Sequence, residues 1–205
     1  YTYGENSTRL SYEGQFSNNK FNGAGTIIYK SGDKYEGYFV KGKYHGKGIF
    51  ICTNYTYHGD FVENDKHGAG HIAYQDGTEY TGLWYRNLMD GRGKLIHTDG
   101  EVYEGEFYEN QYQGKGVLKY SNGEVYDGDF NDSLFDGTGI YKYNNGNVFK
   151  GHWCKGIKAG HGKMTYPNGN YYKGEWREDQ FHGTGEFSIK EPKYHTDFNY
   201  YNNID

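Results

Sequence analysis

Two side chains stand at a spacing that could hold a metal. His152 and Cys154 are two residues apart in a segment of alternating character, so imidazole and thiol project from one face of a predicted strand. A soft thiolate beside an imidazole is half of a tetrahedral zinc site. A twofold axis bringing up a second pair would complete a His2Cys2 set as a structural zinc between two copies, with His161 as an alternative donor. Without a second copy the two residues are an unligated surface pair, and the sequence leaves both readings open. Three further histidines, His45, His67 and His182, share one place just before a glycine, where a polar side chain reads as steadying a turn. Copies of that place in successive units lie roughly 9–10 Å apart along a sheet, too far to share an ion whose bonds are about 2 Å.

Other chemistry is missing from the pattern. There is no nucleophile elbow, no phosphate-cradling glycine loop with its lysine, and no HExxH. Acids such as Glu13, Glu104 and Asp127 recur in register like a solvated strand face, whereas an active site is normally one asymmetric constellation. The expectation is a protein that is not an enzyme and requires no cofactor.

The elements that must position these residues come from a repeat. YEGQF at 12–16 returns as YEGYF at 35–39, YHGDF at 57–61, YTGLW at 80–84, YEGEF at 103–107, YDGDF at 126–130, FKGHW at 149–153 and YKGEW at 172–176. The spacing is 23 residues except between Tyr35 and Tyr57, where it is 22. Fixed periods of this size mark linear arrays.

Numbering each unit from its opening aromatic, slots 1, 3 and 5 are aromatic, glycine and aromatic, with polar residues between them: a strand of period two. Slots 12 and 14 are glycine in every copy, slot 16 is apolar and slot 18 is usually tyrosine, so slots 13–18 predict a second strand. Slot 21 closes a turn on glycine, as in Ser-Asn-Gly at 121–123. Thirty of the 33 glycines fall in slots 3, 12, 14 and 21. Those on the inner face would leave hollows in which a neighbouring ring can lie flat. The predicted fold class is all-β, a single elongated antiparallel meander of β-hairpin repeats, about 75–80 Å long for sixteen strands.

Composition agrees. Leucine, isoleucine, valine and phenylalanine supply only 34 of 205 residues, but 25 tyrosines, 12 phenylalanines and 3 tryptophans recur in register and carry the apolar surface. Net charge is −5 with basic residues scattered among acids, so no basic stripe for nucleic acid or an anionic bilayer is expected. Cys52 and Cys154 lie more than four repeats apart, beyond disulfide reach in an extended array, which excludes a secreted disulfide scaffold. No apolar run approaches the roughly 20 residues of a membrane span. A cytoplasmic protein is expected.

The combined pattern, YxGxF or YxGxW followed by HGxG or its variants and then NG or DG, resembles the MORN repeat (membrane occupation and recognition nexus) over residues 12–191. The units read 12–34, 35–56, 57–79, 80–102, 103–125, 126–148, 149–171 and 172–193, with 1–11 as the end of a preceding repeat and 194–205 as a degenerate terminal strand. Tyr55 replaces glycine at slot 21 of the short unit, Ala159 replaces the polar residue at slot 11, and Pro192 and Thr196 break the pattern at the end.

The resemblance implies a MORN-type rod acting as a non-catalytic scaffold that self-associates through terminal repeats. Among members, a stand-alone array of this composition is most similar to the apicomplexan scaffold of the basal cytoskeletal apparatus. Expected partners are a second copy, forming a homodimer through the C-terminal repeats, and cytoskeletal or membrane-associated proteins, with no nucleic acid. The candidate interface residues are Phe149, Trp153, Tyr172, Trp176, Phe181, Tyr194 and Phe198. The alternative the family name suggests is a phospholipid-binding, membrane-targeting module, against which the acidic balance weighs.

Overall fold

Alternation of period two with a glycine-tolerant reversal about every eleven residues builds one sheet. The computed structural model describes residue 2 and residues 7–190. Its strands are β1 (Arg9–Ser17), β2 (Lys20–Tyr29), β3 (Lys34–Val40), β4 (Lys43–Ile51), β5 (Tyr55–Val62), β6 (Asp65–Tyr74), β7 (Glu79–Tyr85) and β8 (Leu88–Ile96). They continue as β9 (Val102–Tyr108), β10 (Gln111–Lys119), β11 (Val125–Asn131), β12 (Leu134–Lys142), β13 (Val148–Cys154), β14 (Ile157–Thr165), β15 (Tyr171–Arg177) and β16 (Gln180–Ser188). The order in the sheet is the order in the chain, and every pair is antiparallel. This is the open meander that the repeat predicts.

The two reversals of each unit differ in kind. Slots 7 and 8 both have positive φ, as in Asn18 (49°) and Asn19 (58°) or Lys41 (51°) and Gly42 (85°), the two-residue hairpin geometry whose twist matches the flanking strands. The second reversal is held by an Asx-type bond, for example Asn122 Oδ1 accepting from Glu124 N at 3.0 Å, while Tyr120 N donates to Glu124 O at 2.9 Å. In the short unit Cys52 N donates to Tyr55 O at 3.0 Å, a turn one residue tighter, as the missing glycine there requires.

One expectation needs correction. The second strand of each unit begins at slot 9, not slot 13, and contains a bulge. In the fifth unit Gln113 pairs with Glu106 and Gly116 with Gly105, so Gly114 and Lys115 are extra on β10. The slot-12 glycines take positive φ at this bulge, +60° at Gly114. Two phases of alternation separated by a bulge look like a loop from sequence alone. His45, His67 and His182 therefore sit within strands, opposite Tyr38, Asp60 and Glu175, and do not precede a turn.

All sixteen glycines of slots 3 and 14 pair in one unbroken row: Gly14 with Gly25, Gly25 with Gly37, and so to Gly174 with Gly185. Over each within-unit pair lies the ring of that unit's slot-1 residue. A Cβ built on Gly116 would stand 2.5 Å from the hydroxyl oxygen of Tyr103, so the glycines are required by space. Each slot-1 tyrosine then donates to the slot-4 carbonyl beside the bulge, as Tyr103 does to Glu106 O at 2.8 Å and Tyr80 to Leu83 O at 2.8 Å.

Packing along the aromatic face repeats as regularly. Tyr103 stacks on Tyr112 at slot 10 with centroids 3.7 Å apart, and meets Phe107 and the next unit's Phe130 edge-on at 5.1 Å each. Tyr35, Tyr57, Tyr80, Tyr103 and Tyr126 are fully buried, although one sheet supplies the whole core. Burial pushes these phenols up, Tyr35 to about 12.

Candidate functional site

Slots 3 and 14 send nothing to the opposite face, so there the sheet presents a backbone floor between two walls of side chains. One wall is slots 2 and 15, the other slots 4 and 13. Across β10–β16 the floor and walls enclose a groove of 1040 Å³. Across β1–β5 the same rows enclose 780 Å³.

The slot-4 and slot-13 wall pairs its charges. Lys47 meets Asp60 at 2.7 Å and Lys115 meets Asp129 at 2.5 Å, each linking one unit to the next. Burial alone would raise Asp129, but the Lys115 ammonium and the Thr138 donors outweigh it and hold the carboxyl below its ordinary range. Farther along, Glu175 stands in register between His161 and His182. Its carboxylate is held low chiefly by Thr184, with the two histidines adding to the effect.

The slot-2 and slot-15 wall behaves differently at one end. Its register runs Asp127, Ile140, Lys150, Lys163, Lys173, Glu186, so three lysines lie directly opposite one another on β13, β14 and β15. The lysines are scattered in the sequence, and antiparallel pairing assembles these three, 13 and 10 residues apart, into a short row between Ile140 and Glu186.

The predicted site residues are dispersed. His152 and His161 both line the groove, whereas Cys154 is exposed beyond it. Among the described residues no group of three or more His, Cys, Asp or Glu could hold a metal, so His152 and Cys154 supply two donors and a closed zinc site would need a second copy. Phe149, Trp153, Tyr172 and Trp176 are buried in the chain's own core, at 0, 6, 7 and 5 % exposure. Any contact across an interface would fall to Phe181, which is 50 % exposed. Tyr194 and Phe198 lie outside the described residues.

Sequence reasoning missed slot 10. Phe21, Tyr44, Tyr112, Phe135 and Phe181 repeat an aromatic there, four places before the slot-14 glycine and out of the alternation of slots 14, 16 and 18 because the bulge intervenes. In two units the slot holds lysine. Lys66 lies over Tyr55 (4.9 Å), Tyr57 (5.7 Å) and Trp84 (4.6 Å), and desolvation lowers its pKa. Lys158 lies over Phe149 and Trp176, and also reaches the Tyr143 hydroxyl at 3.1 Å and Asp179 at 3.5 Å.

Comparison with known proteins gives one family. The MORN-repeat profile matches residues 12–34, 35–56, 57–79, 80–102, 103–125, 126–148, 149–171 and 172–189. No curated protein matches. Among solved structures, the SAS-4 (dCPAP) TCP domain of Drosophila melanogaster, in complex with a proline-rich motif of Ana2 (dSTIL), is similar at 12 % identity and a TM-score of 0.42, over 71 % of this chain and 85 % of that one. The G-box domain of the microcephaly protein CPAP is similar at 17 % identity and a TM-score of 0.37, over 82 % of this chain and 100 % of that one. The TCP10 domain of Danio rerio CPAP, in complex with a STIL peptide, is similar at 16 % identity and a TM-score of 0.32, over 80 % and 84 %. At these scores the likeness carries no inference about this chain's partners.

Proposed function

The chain belongs to the MORN-repeat family, and from that premise we propose that it is a non-catalytic structural scaffold that pairs with a second copy through its C-terminal repeats and organises a cytoskeletal or membrane-associated assembly. The observation that carries the reading is the surface of β16. Phe181 and Phe187 are 50 % and 53 % exposed, while among the described residues the same slots are better covered in other units: Phe21 (7 %) and Ile72 (0 %) are buried, and Tyr44, Tyr112 and Phe135 are half-buried. Interior slot-10 rings are covered by the slot-5 ring of the following unit, as Phe135 is by Trp153 at 5.3 Å. A sheet edge with uncovered aromatic rings is a template for pairing with another chain.

Light scattering after size exclusion, over a concentration series, tests this. The expected mass is twice that of the 23.6 kDa chain, falling toward one copy in a Phe181→Ser, Phe187→Ser double variant. A single-copy mass at every concentration would remove self-association by this segment. We further propose that a structural zinc joins His152 and Cys154 of the two copies. A dimer mass unmoved by a strong chelator removes the metal and leaves the pairing.

The phospholipid alternative would place an anionic headgroup on the lysine wall of the groove. The net charge of −5 opposes adsorption to an anionic membrane, so this reading ranks second.

A further inference from the structure

We infer that the groove across β10–β16 is a docking site for an extended acidic peptide segment of a partner protein, recognised by Lys150, Lys163 and Lys173. The inference gives the scaffold reading a client site, but it does not require the chain to dimerise.

Like charges directly opposite on neighbouring strands destabilise a sheet. Lys150 faces Lys163, and Lys163 faces Lys173. Nowhere else along this wall, from Glu13 through Ile140, do two like formal charges oppose each other: Glu36 faces Ile49, Lys94 faces Glu104 and Asp127 faces Ile140. On the facing wall the chain sets Lys47, Arg92 and Lys115 opposite Asp60, Glu106 and Asp129. A protein that elsewhere sets opposite charges together leaves these three together.

None of the three makes an ion pair among the described residues. Lys163 lies 3.9 Å over the Tyr171 ring, which orients it without neutralising it. Glu186, the acid in register with Lys173, accepts the Tyr171 hydroxyl at 2.6 Å. The fold therefore gives the cluster no internal reason to exist, and an external anion supplies one.

The groove decides which anion. It runs from Lys115 on β10 to Glu186 on β16, about 29 Å across seven strands, the length of about nine residues of extended chain. A lone phosphate headgroup would engage the lysines and leave the Ile140 and Thr138 end empty, whereas a peptide fills the length. His152 and His161 on the facing wall offer hydrogen bonds to its main chain, and the Thr138 and Thr184 hydroxyls, which donate to Asp129 and Glu175, can accept from it. A recessed floor also favours a chain that enters it over a flat bilayer.

The test is fluorescence anisotropy of labelled deca-glutamate at physiological salt, with deca-glutamine as the uncharged control and phosphatidylcholine vesicles carrying phosphatidylinositol bisphosphate as the competing class. The wild type is expected to bind deca-glutamate and not deca-glutamine. The K150Q/K163Q/K173Q triple variant is expected to lose at least about tenfold in affinity, since three charge-assisted contacts go at once. Its thermal stability should be no lower than wild type, because removing opposed like charges does not harm the sheet. K47Q, removing a lysine already paired, should bind within about twofold of wild type. No binding to deca-glutamate, or equal binding by the triple variant, overturns the proposal, and lysine-dependent binding to vesicles alone replaces it with the lipid. The solution mass of the triple variant separates this from self-association: an unchanged mass with lost peptide binding leaves pairing intact.

Discussion

The two faces of the sheet carry different kinds of information. On the aromatic face, units two and five superpose in all but name: Tyr35 stacks on Tyr44 at 3.7 Å and 12°, and Tyr103 on Tyr112 at 3.7 Å and 9°. On the groove face the wall runs Glu36 and Ile49 in unit two into His58 of unit three, against Glu104 and Val117 in unit five into Asp127 of unit six, and from unit seven it turns to lysine. A side chain touched by its own neighbours in every unit must repeat, because packing at interior density tolerates little change. One that meets only solvent or a partner is free to differ, so the differences there report on what binds.

The comparison can be broken most severely by alkali. Five buried slot-1 tyrosines, Tyr35, Tyr57, Tyr80, Tyr103 and Tyr126, have folded pKa values raised above the ordinary value near 10, Tyr35 to about 12. A raised pKa contributes stability that is fully present below pH 10 and lost as pH climbs through the folded value. Each such phenol removes up to about 1.4 kcal/mol per pH unit in that window. Circular dichroism against pH should show cooperative unfolding beginning between about pH 10 and 12.

Next in size is a methyl group placed in the glycine row. Gly116→Ala sets a Cβ 2.5 Å from the Tyr103 oxygen and 2.6 Å from its ring, and should cost about 3 kcal/mol or more by denaturant titration. Gly123→Ala, in a turn with nothing within 4 Å of the added carbon, should cost only about 1 kcal/mol, from its φ of +89°. Equal costs would mean that rings do not need the hollows.

Lys66→Met should stabilise by about 1 kcal/mol, since the ammonium is desolvated by three rings and makes no ion pair among the described residues, and Met89 occupies the same slot one unit later. Lys158→Met should be near neutral, because there Tyr143 and Asp179 are lost with the charge. The smallest effect is expected at the groove: Lys47→Gln breaks a solvent-exposed pair with Asp60 and should change stability by less than about 0.5 kcal/mol.

How much of this could be read from the chain follows from where each constraint acts. The alternation of slots 1, 3 and 5, and of 14, 16 and 18, is a property of single strands, and glycine at slot 21 is a property of single turns. Both are local, so the eight units, the meander and the flat-lying rings were legible. Slot 10 was hidden because two extra residues at the bulge reset the alternation, and a phase break in sequence looks the same as a loop. Four of the interface candidates are covered within the chain for a related reason. Phe149 and Trp153 look available at the end of an array, yet their covering comes from Trp176 and Tyr126 in neighbouring units.

The groove shows the same division most sharply. From its residues alone the chain determined that it is a repeat, that its strands alternate, and that glycines leave room for rings, since each of these depends on residues within one unit. Only the tertiary structure decided that Lys150, Lys163 and Lys173 meet, that His152 joins His161 on the facing wall without Cys154, and that four of the proposed contact aromatics are already spent on the core. Those outcomes depend on cross-strand register, which is set by turn lengths and a bulge acting together, and a shift of one residue would have sent every one of these side chains to the other face.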